Sequence, residues 1–240
     1  MKTTALTFTM ATLLASSAAA EGDWIVGLIV QGDSQIYEGG TDDAILLPYL
    51  AYETDRLHIG LDGISYQALE YGDLAVDVTL DARFGPDFPD TTLFEGLDRD
   101  TAFELGFDAQ YDFGAAYVGL ALAGDISGAH DGYEGQASLG YAFETGALAL
   151  DVSAGVILRD ANLNAYLYGI SAAEATATRA AFDLGDTTNG FASVSAAFAL
   201  SDQAYLIAEV SYEDLGDARN SPLVSKSEST EISIGIGFQF

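Results

Sequence analysis

The sequence predicts an all-β protein: an antiparallel transmembrane β-barrel of the bacterial outer membrane with about 12 strands, 10 or 14 being the alternatives. Its last ten residues alternate strictly. Ile232, Ile234, Ile236, Phe238 and Phe240 occupy every second position, and Glu231, Ser233, Gly235, Gly237 and Gln239 fill the gaps. Side chains on a strand point alternately to opposite faces, so one face here is apolar and the other polar or bare. Similar runs of about 8–12 residues recur along the chain, the length that crosses a bilayer as a tilted strand. The first twenty residues read as an export signal: Lys2, an apolar run from Ala5 to Leu14, and Ala18-Ala19-Ala20 as the cleavage site. The expected organisation is a signal peptide over 1–20 and one barrel domain over 21–240.

No later stretch approaches the ~18 consecutive apolar residues of a membrane-spanning helix. An exported chain without a helical anchor is either soluble in the periplasm or a barrel. A soluble sandwich would carry polar or charged groups on its outward faces. Here the polar face holds mostly Gly, Ala, Ser and Thr with isolated carboxylates, while the other is nearly unbroken aliphatic and aromatic. Lipid outside and a small filled lumen inside account for both. The absence of cysteine excludes disulfides and thiolate metal sites. Thirty-seven acidic against eight basic residues give a formal charge of −29. Nucleic acid needs a basic footprint and is excluded as a partner. Such a charge favours cations near the surface or in a lumen, although adaptation to a salty habitat explains it more simply.

Strands at 24–31 and 45–53 flank a polar connection at 32–44. Thr54-Asp55 then makes a tight break before a strand at 56–66. In 73–84, Leu74, Val76, Val78, Leu80, Ala82 and Phe84 alternate with Ala75, Asp77, Thr79, Asp81 and Arg83. A polar connection at 85–100 leads to 101–113, where Phe103, Leu105, Phe107, Ala109 and Tyr111 alternate with Glu104, Gly106, Asp108 and Gln110. Phe113-Gly114 breaks to 115–124, and a loop at 125–133 leads to 134–143. After Thr145-Gly146, the strand 146–158 sets Leu148, Leu150, Val152, Ala154, Val156 and Leu158 against Ala149, Asp151, Ser153 and Gly155. A strand at 162–170 precedes a connection at 171–189, in which the Ala-rich Ser171 to Arg179 is the best candidate for a short helix. Strands at 190–200, 203–213 and 229–240 complete the twelve, separated by Ser201-Asp202 and by a loop at 214–228. An even count puts both termini on the periplasmic side. Under this numbering the tight turns fall on both sides, with 54–55 and 201–202 periplasmic but 113–114 and 145–146 external. A miscounted strand or short external loops would produce that. Trp24, Tyr49, Tyr52, Tyr66, Tyr71, Tyr111, Tyr141, Phe143 and Tyr212 lie near strand ends and suit interfacial girdles.

The inward face carries Asp77, Asp81, Glu104, Asp108, Asp112 and Asp151, partly offset by Arg83 and Arg159. Buried charges need partners or water, so the lumen is either wet and cation-preferring or plugged with a paired network. Imidazoles are limited to His58 and His130. His58 reads as a lumen hydrogen-bonding group. His130 stands beside Ser127, Asp125 and Asp131, which invites a hydrolase reading, but a glycine-rich polar stretch is first of all a loop. Asp42, Asp43, Asp87, Asp90, Asp98, Asp100, Asp125 and Asp131 could hold Ca²⁺ or Mg²⁺. Without EF-hand spacing, a solvated acidic loop is the stronger reading, and no metal, cofactor or catalytic residue is assigned.

Several segments, taken in order, resemble the MipA/OmpV family of outer-membrane proteins. They are Tyr37-Glu-Gly39, Leu47-Pro48-Tyr-Leu-Ala-Tyr52, Gly96-Leu97-Asp-Arg99 with Glu104-Leu-Gly106, and Asp125 through His130 to Gly132. Tyr166-Leu-Tyr168-Gly169-Ile-Ser-Ala-Ala-Glu-Ala175 and Ser221-Pro222-Leu-Val224 follow. Leu167 stands where the family pattern has another Tyr. The resemblance implies a non-enzymatic barrel in contact with outer-membrane lipid and lipopolysaccharide, with one member acting as a scaffold between a murein hydrolase and a murein synthase. It supplies no catalytic residue. The terminal aromatic pair, Phe238 and Phe240, looks like the signal read by the machinery that inserts such barrels.

Overall fold

The computed structural model describes residues 22–240, and the expected signal peptide lies outside the described residues. Twelve antiparallel strands close into a barrel in which each strand pairs with its neighbours in chain order. They are β1 Asp23–Asp33, β2 Asp43–Glu53, β3 Leu57–Gly60, β4 Gly63–Tyr71, β5 Leu74–Arg83 and β6 Ala102–Phe113. β7 Ala116–Asp125, β8 Tyr133–Thr145, β9 Leu148–Arg159, β10 Thr187–Ala199, β11 Ala204–Asp214 and β12 Glu228–Gln239 follow. One helix, α1 (Ala161–Tyr168), lies between β9 and β10. No described helix is long and apolar enough to cross a membrane.

The terminal strand closes the ring as the alternation implies. β12 pairs with β1 from Ile25↔Gln239 to Asp33↔Glu231. Trp24 and Phe240 exchange backbone hydrogen bonds of 2.9 and 3.0 Å at the end of this seam. Val26, Leu28, Val30, Ile232, Ile234 and Phe238 are exposed on the outer wall, whereas Ile25, Ile29 and Ser233 are buried inside. A surface of this kind is stable only against lipid. Where aromatic rings crowd the lumen, glycine opposes them: the Tyr205 ring lies over Gly237, where an added Cβ would approach within 2.5 Å.

Two expected strands are not as read. The segment 56–66 is not one strand but β3 and the start of β4, joined at Leu61-Asp62. Gly63, with φ +129°, turns the chain back there in a conformation that L side chains rarely adopt. The segment 162–170 is mostly α1 rather than a strand. Asp160 caps this helix by accepting the Leu163 N–H at 3.0 Å. The helix expected at 171–179 is absent. Arg179 instead draws that segment into a ring by donating to the carbonyls of Glu174, Leu93 and Glu95.

One extra strand before residue 66 and one fewer after residue 160 leave the total at twelve and resolve the sidedness. The connections 54–56, 72–73, 114–115, 146–147 and 200–203 now share the end that holds both termini, which is the periplasmic side in such barrels. The external side carries 34–42, 84–101, 126–132, 160–186 and 215–227, together with the tight β3–β4 turn at 61–62. Of the expected girdle residues, Tyr49 departs: ladder parity with Gly27 turns it into the lumen.

Candidate functional site

The outer mouth of the barrel is where the chain concentrates its chemistry. Arg83 at the top of β5 donates through Nε to Glu104 at 2.9 Å and through Nη2 to Glu134 at 3.5 Å. Arg159 at the top of β9 donates to the other oxygen of Glu134 at 2.5 Å and forks onto both oxygens of Glu213. Asn189 adds a donor to Glu213 at 2.9 Å. His130 joins from the β7–β8 loop. The Gly132 N–H donates to its Nδ1 at 3.0 Å, so Nε2 carries the hydrogen and donates to Glu104 at 3.1 Å. Arg83, Glu104, His130 and Arg159 are all buried. Opposite charges with satisfied hydrogen bonds can stand in such a place, and removing one member leaves its partner uncompensated.

Above this layer the external loops fold into a cap with its own apolar core. Tyr37, Phe94, Tyr168, Ile170, Leu184, Leu215, Ala218, Leu223 and Val224 are buried together. Phe88 stacks on Phe94 with centroids 5.0 Å apart and meets Tyr37 edge-on at the same distance. Polar bonds hold the loops in register. The Tyr37 hydroxyl donates to the Leu167 carbonyl at 3.1 Å, Ser221 to Tyr168 at 2.7 Å, and Tyr166 to Asp100 at 2.7 Å. Burial pushes the Tyr166 and Tyr168 phenols up to about 12, which keeps both neutral. Arg99 ties the β5–β6 loop to α1 through the carbonyls of Tyr166 and Gly169 and reaches Glu174 at 2.7 Å. Burial opposes the charge on Glu174, but hydrogen bonds from Arg99 and Ser171 outweigh it and hold the carboxyl near 2. Beside α1 lies an open cavity of about 710 Å³, lined in part by Arg99, His130, Tyr166 and Glu174.

The residues that carried the family resemblance are scattered in sequence, and most of them meet in this cap. Tyr37, Tyr168 and Ser221 are buried in it, Leu97 packs against its core and the exposed Pro222 turns the chain beside it. Gly39 and Gly96 adopt φ near +78° in its loops. Gly132 lets the β7–β8 loop touch the start of α1, where an added Cβ would come within 2.5 Å of the Leu163 nitrogen. Gly169 caps the other end of that helix. Pro48 stands apart, in β2.

The expected lumen charges divide into two groups. Arg83 and Glu104 belong to the mouth network. Asp77 and Asp108 face each other across β5 and β6, Asp81 is directly opposite Glu104, and Asp151 accepts the Tyr117 hydroxyl at 2.9 Å. Ser127 and His130 do not meet. The Ser127 hydroxyl donates to Asp125 at 2.6 Å, while His130 is turned toward Glu104. Among the described residues no group of three or more His, Asp or Glu side chains is arranged to hold a metal ion. Sequence reasoning passed over Glu134 and Glu213 as partners. Their shared signal is an inward parity at the outer ends of β8 and β11, the strands on either side of the β9–β10 pair that carries Arg159.

A closed barrel with an apolar outer wall, short turns on one side and a folded cap on the other defines an outer-membrane β-barrel protein. Comparison with known sequences agrees. Residues 26–240 match the family described as MltA-interacting protein MipA, and the chain belongs to that family. It is 24% identical to the outer membrane protein Omp26La of Vibrio anguillarum over 92% of this chain and 88% of that protein. It is 23% identical to the outer membrane protein OmpV of Vibrio cholerae over the same shares. Among solved structures, the NanC porin covers 89% of this chain and 98% of its own at 10% identity, with a TM-score of 0.48.

Proposed function

We propose that this outer-membrane barrel is a non-enzymatic scaffold with a structural role in envelope and murein maintenance. The carrying observation is the cap. Four loops pack over the outer mouth on a common apolar core, and a largely buried layer of two arginines and three glutamates lies directly beneath it. Side chains committed to one another in this way serve to hold a shape. The family's association with a murein enzyme supports the same reading and adds a class of partner, murein hydrolases or synthases on the periplasmic side. The test is affinity capture of the full barrel from cross-linked envelopes. Recovery of a murein enzyme supports the scaffold, and its repeated absence overturns it.

A second reading, a small cation-leaning channel, is favoured by the inward carboxylates of Asp77, Asp81, Asp108 and Asp151. Planar-bilayer recording separates the two. A capped scaffold is silent, whereas a channel shows cation-selective steps.

A further inference from the structure

The barrel wall is incomplete toward its outer end. β3 stops after four residues, and β2 pairs with it only through Tyr52↔Ile59 and Glu53↔His58. Ladder alternation fixes which groups this leaves bare. Trp24 bonds to Phe240 on one side, so the next residue, Ile25, bonds to Ala51 on the other, and every second β2 residue counted from Ala51 faces β1. The backbone groups of Ala44, Leu46, Pro48 and Leu50 face the opposite way, where no strand is paired. Pro48 has no N–H to leave unsatisfied there, the position in a sheet that suits proline.

This bare edge, 44–50, is about 23 Å long at ~3.3 Å per residue, and the next strand to reach the same height, β5, is about three strand spacings or ~14 Å away. The opening has a sill and a lintel. Below is the β3–β4 turn at Leu61-Asp62. Above, the β1–β2 and β5–β6 loops meet where Gln35 donates to the Asp87 carbonyl at 3.4 Å and Tyr37 packs on Phe88. Hydrocarbon does not tolerate an open sheet edge, and Pro48 disfavours the addition of a strand. The edge must therefore be wetted from the lumen, which joins lumen to bilayer at this point.

The rim and the interior of the opening differ in character. Leu46, Leu50, Leu61, Ile64 and Leu80 surround it as exposed apolar side chains. Just inside, Asp62 faces Tyr49 and bonds to His58 at 2.9 Å. A carboxylate oxygen of Asp81 lies over Gly63, only 1.9 Å from where a Cβ would stand. The basic side chains nearest to hand are already committed: His58 to Glu53 and Asp62, Arg83 to Glu104 and Glu134.

We propose that this opening is a lateral binding site for a cationic amphiphile. The alkyl tail lies along the leucine rim in the bilayer, and the positive head enters beside Asp81. An anionic amphiphile of the same length meets like charge at the sill and is excluded.

The test uses two photoactivatable probes with the same dodecyl tail, one a trimethylammonium and one a sulfate, on the folded full barrel in neutral maltoside micelles. Labelled residues are mapped by mass spectrometry. The cationic probe is expected to label 45–50 and Leu61 about five-fold or more above the anionic one, and Asp81→Asn to reduce that labelling several-fold. Equal labelling by both heads, or labelling spread evenly round the outer wall, overturns the proposal. The comparison of heads needs no substitution, so it stands whether or not the variant folds.

Discussion

His130 donates its Nε2 hydrogen to Glu104 across 3.1 Å, and Arg83 reaches the same carboxylate oxygen from β5 at 2.9 Å. A loop and two strands thereby share one buried anion. Glu104→Ala is expected to cost about 3–5 kcal/mol, because Arg83 is left charged and buried. His130→Ala, which removes one neutral donor, is expected to cost about 1–3 kcal/mol. Denaturant unfolding in detergent checks both, and equal effects would contradict the assigned roles.

The seam between the first and last strands has little room. An added Cβ at Gly27 would lie 2.3 Å from the backbone carbonyl oxygen of Ile236, which cannot swing aside as a side chain can. Gly27→Ala is expected to destabilise the barrel by about 1–3 kcal/mol, as overpacking does. A lowered temperature for loss of the compact, heat-modifiable gel band would show it.

Glu174 gives the cap a dependence on acid. Its folded carboxyl is held near 2, below the ordinary 4.5, so its contribution is full above about pH 4.5 and is lost as pH falls through 2. Limited proteolysis with pepsin is expected to cut the 160–186 loop faster at pH 2 than at pH 4. Glu174→Gln should show fast cutting already at pH 4. A variant as resistant as the parent at that pH would remove the Arg99–Glu174 pair from the account.

Phe240 is expected to matter more for assembly than for the finished barrel. It contributes backbone bonds to Trp24, and its ring is exposed. Phe240→Ala should lower the amount of barrel in outer-membrane fractions while leaving the unfolding midpoint of the purified protein nearly unchanged. A large fall in that midpoint would make Phe240 a structural residue instead.

Most of the barrel was legible in the alternation, and its two misread strands show what alternation omits. In β3 the outward residues are Leu57 and Ile59, and in β4 they are Ile64 and Tyr66. The parity flips from odd to even across Leu61-Asp62-Gly63. That flip marks a turn, but a run that is apolar on both sides of it reads as one strand. In α1, Leu163, Ala165 and Leu167 alternate with polar neighbours as a strand would, and the contrary signal was Asp160 in the capping position. The mouth network was half legible. Inward arginines and acids could be seen one strand at a time, whereas the joining of Glu104 to His130 depends on how a loop folds back over the lumen.

The short β3 also bears on how the barrel deforms. Below the Tyr52–Ile59 pair the hydrogen-bonded ring is complete, so its girth is set by twelve strands and cannot change without breaking a ladder. Above that pair the sheet is a cuff with two free edges, held together only by loop contacts such as Gln35–Asp87. The periplasmic circumference is therefore rigid while the outer one is free to widen or narrow, and the cap fastened across it acts as the clasp that sets its width.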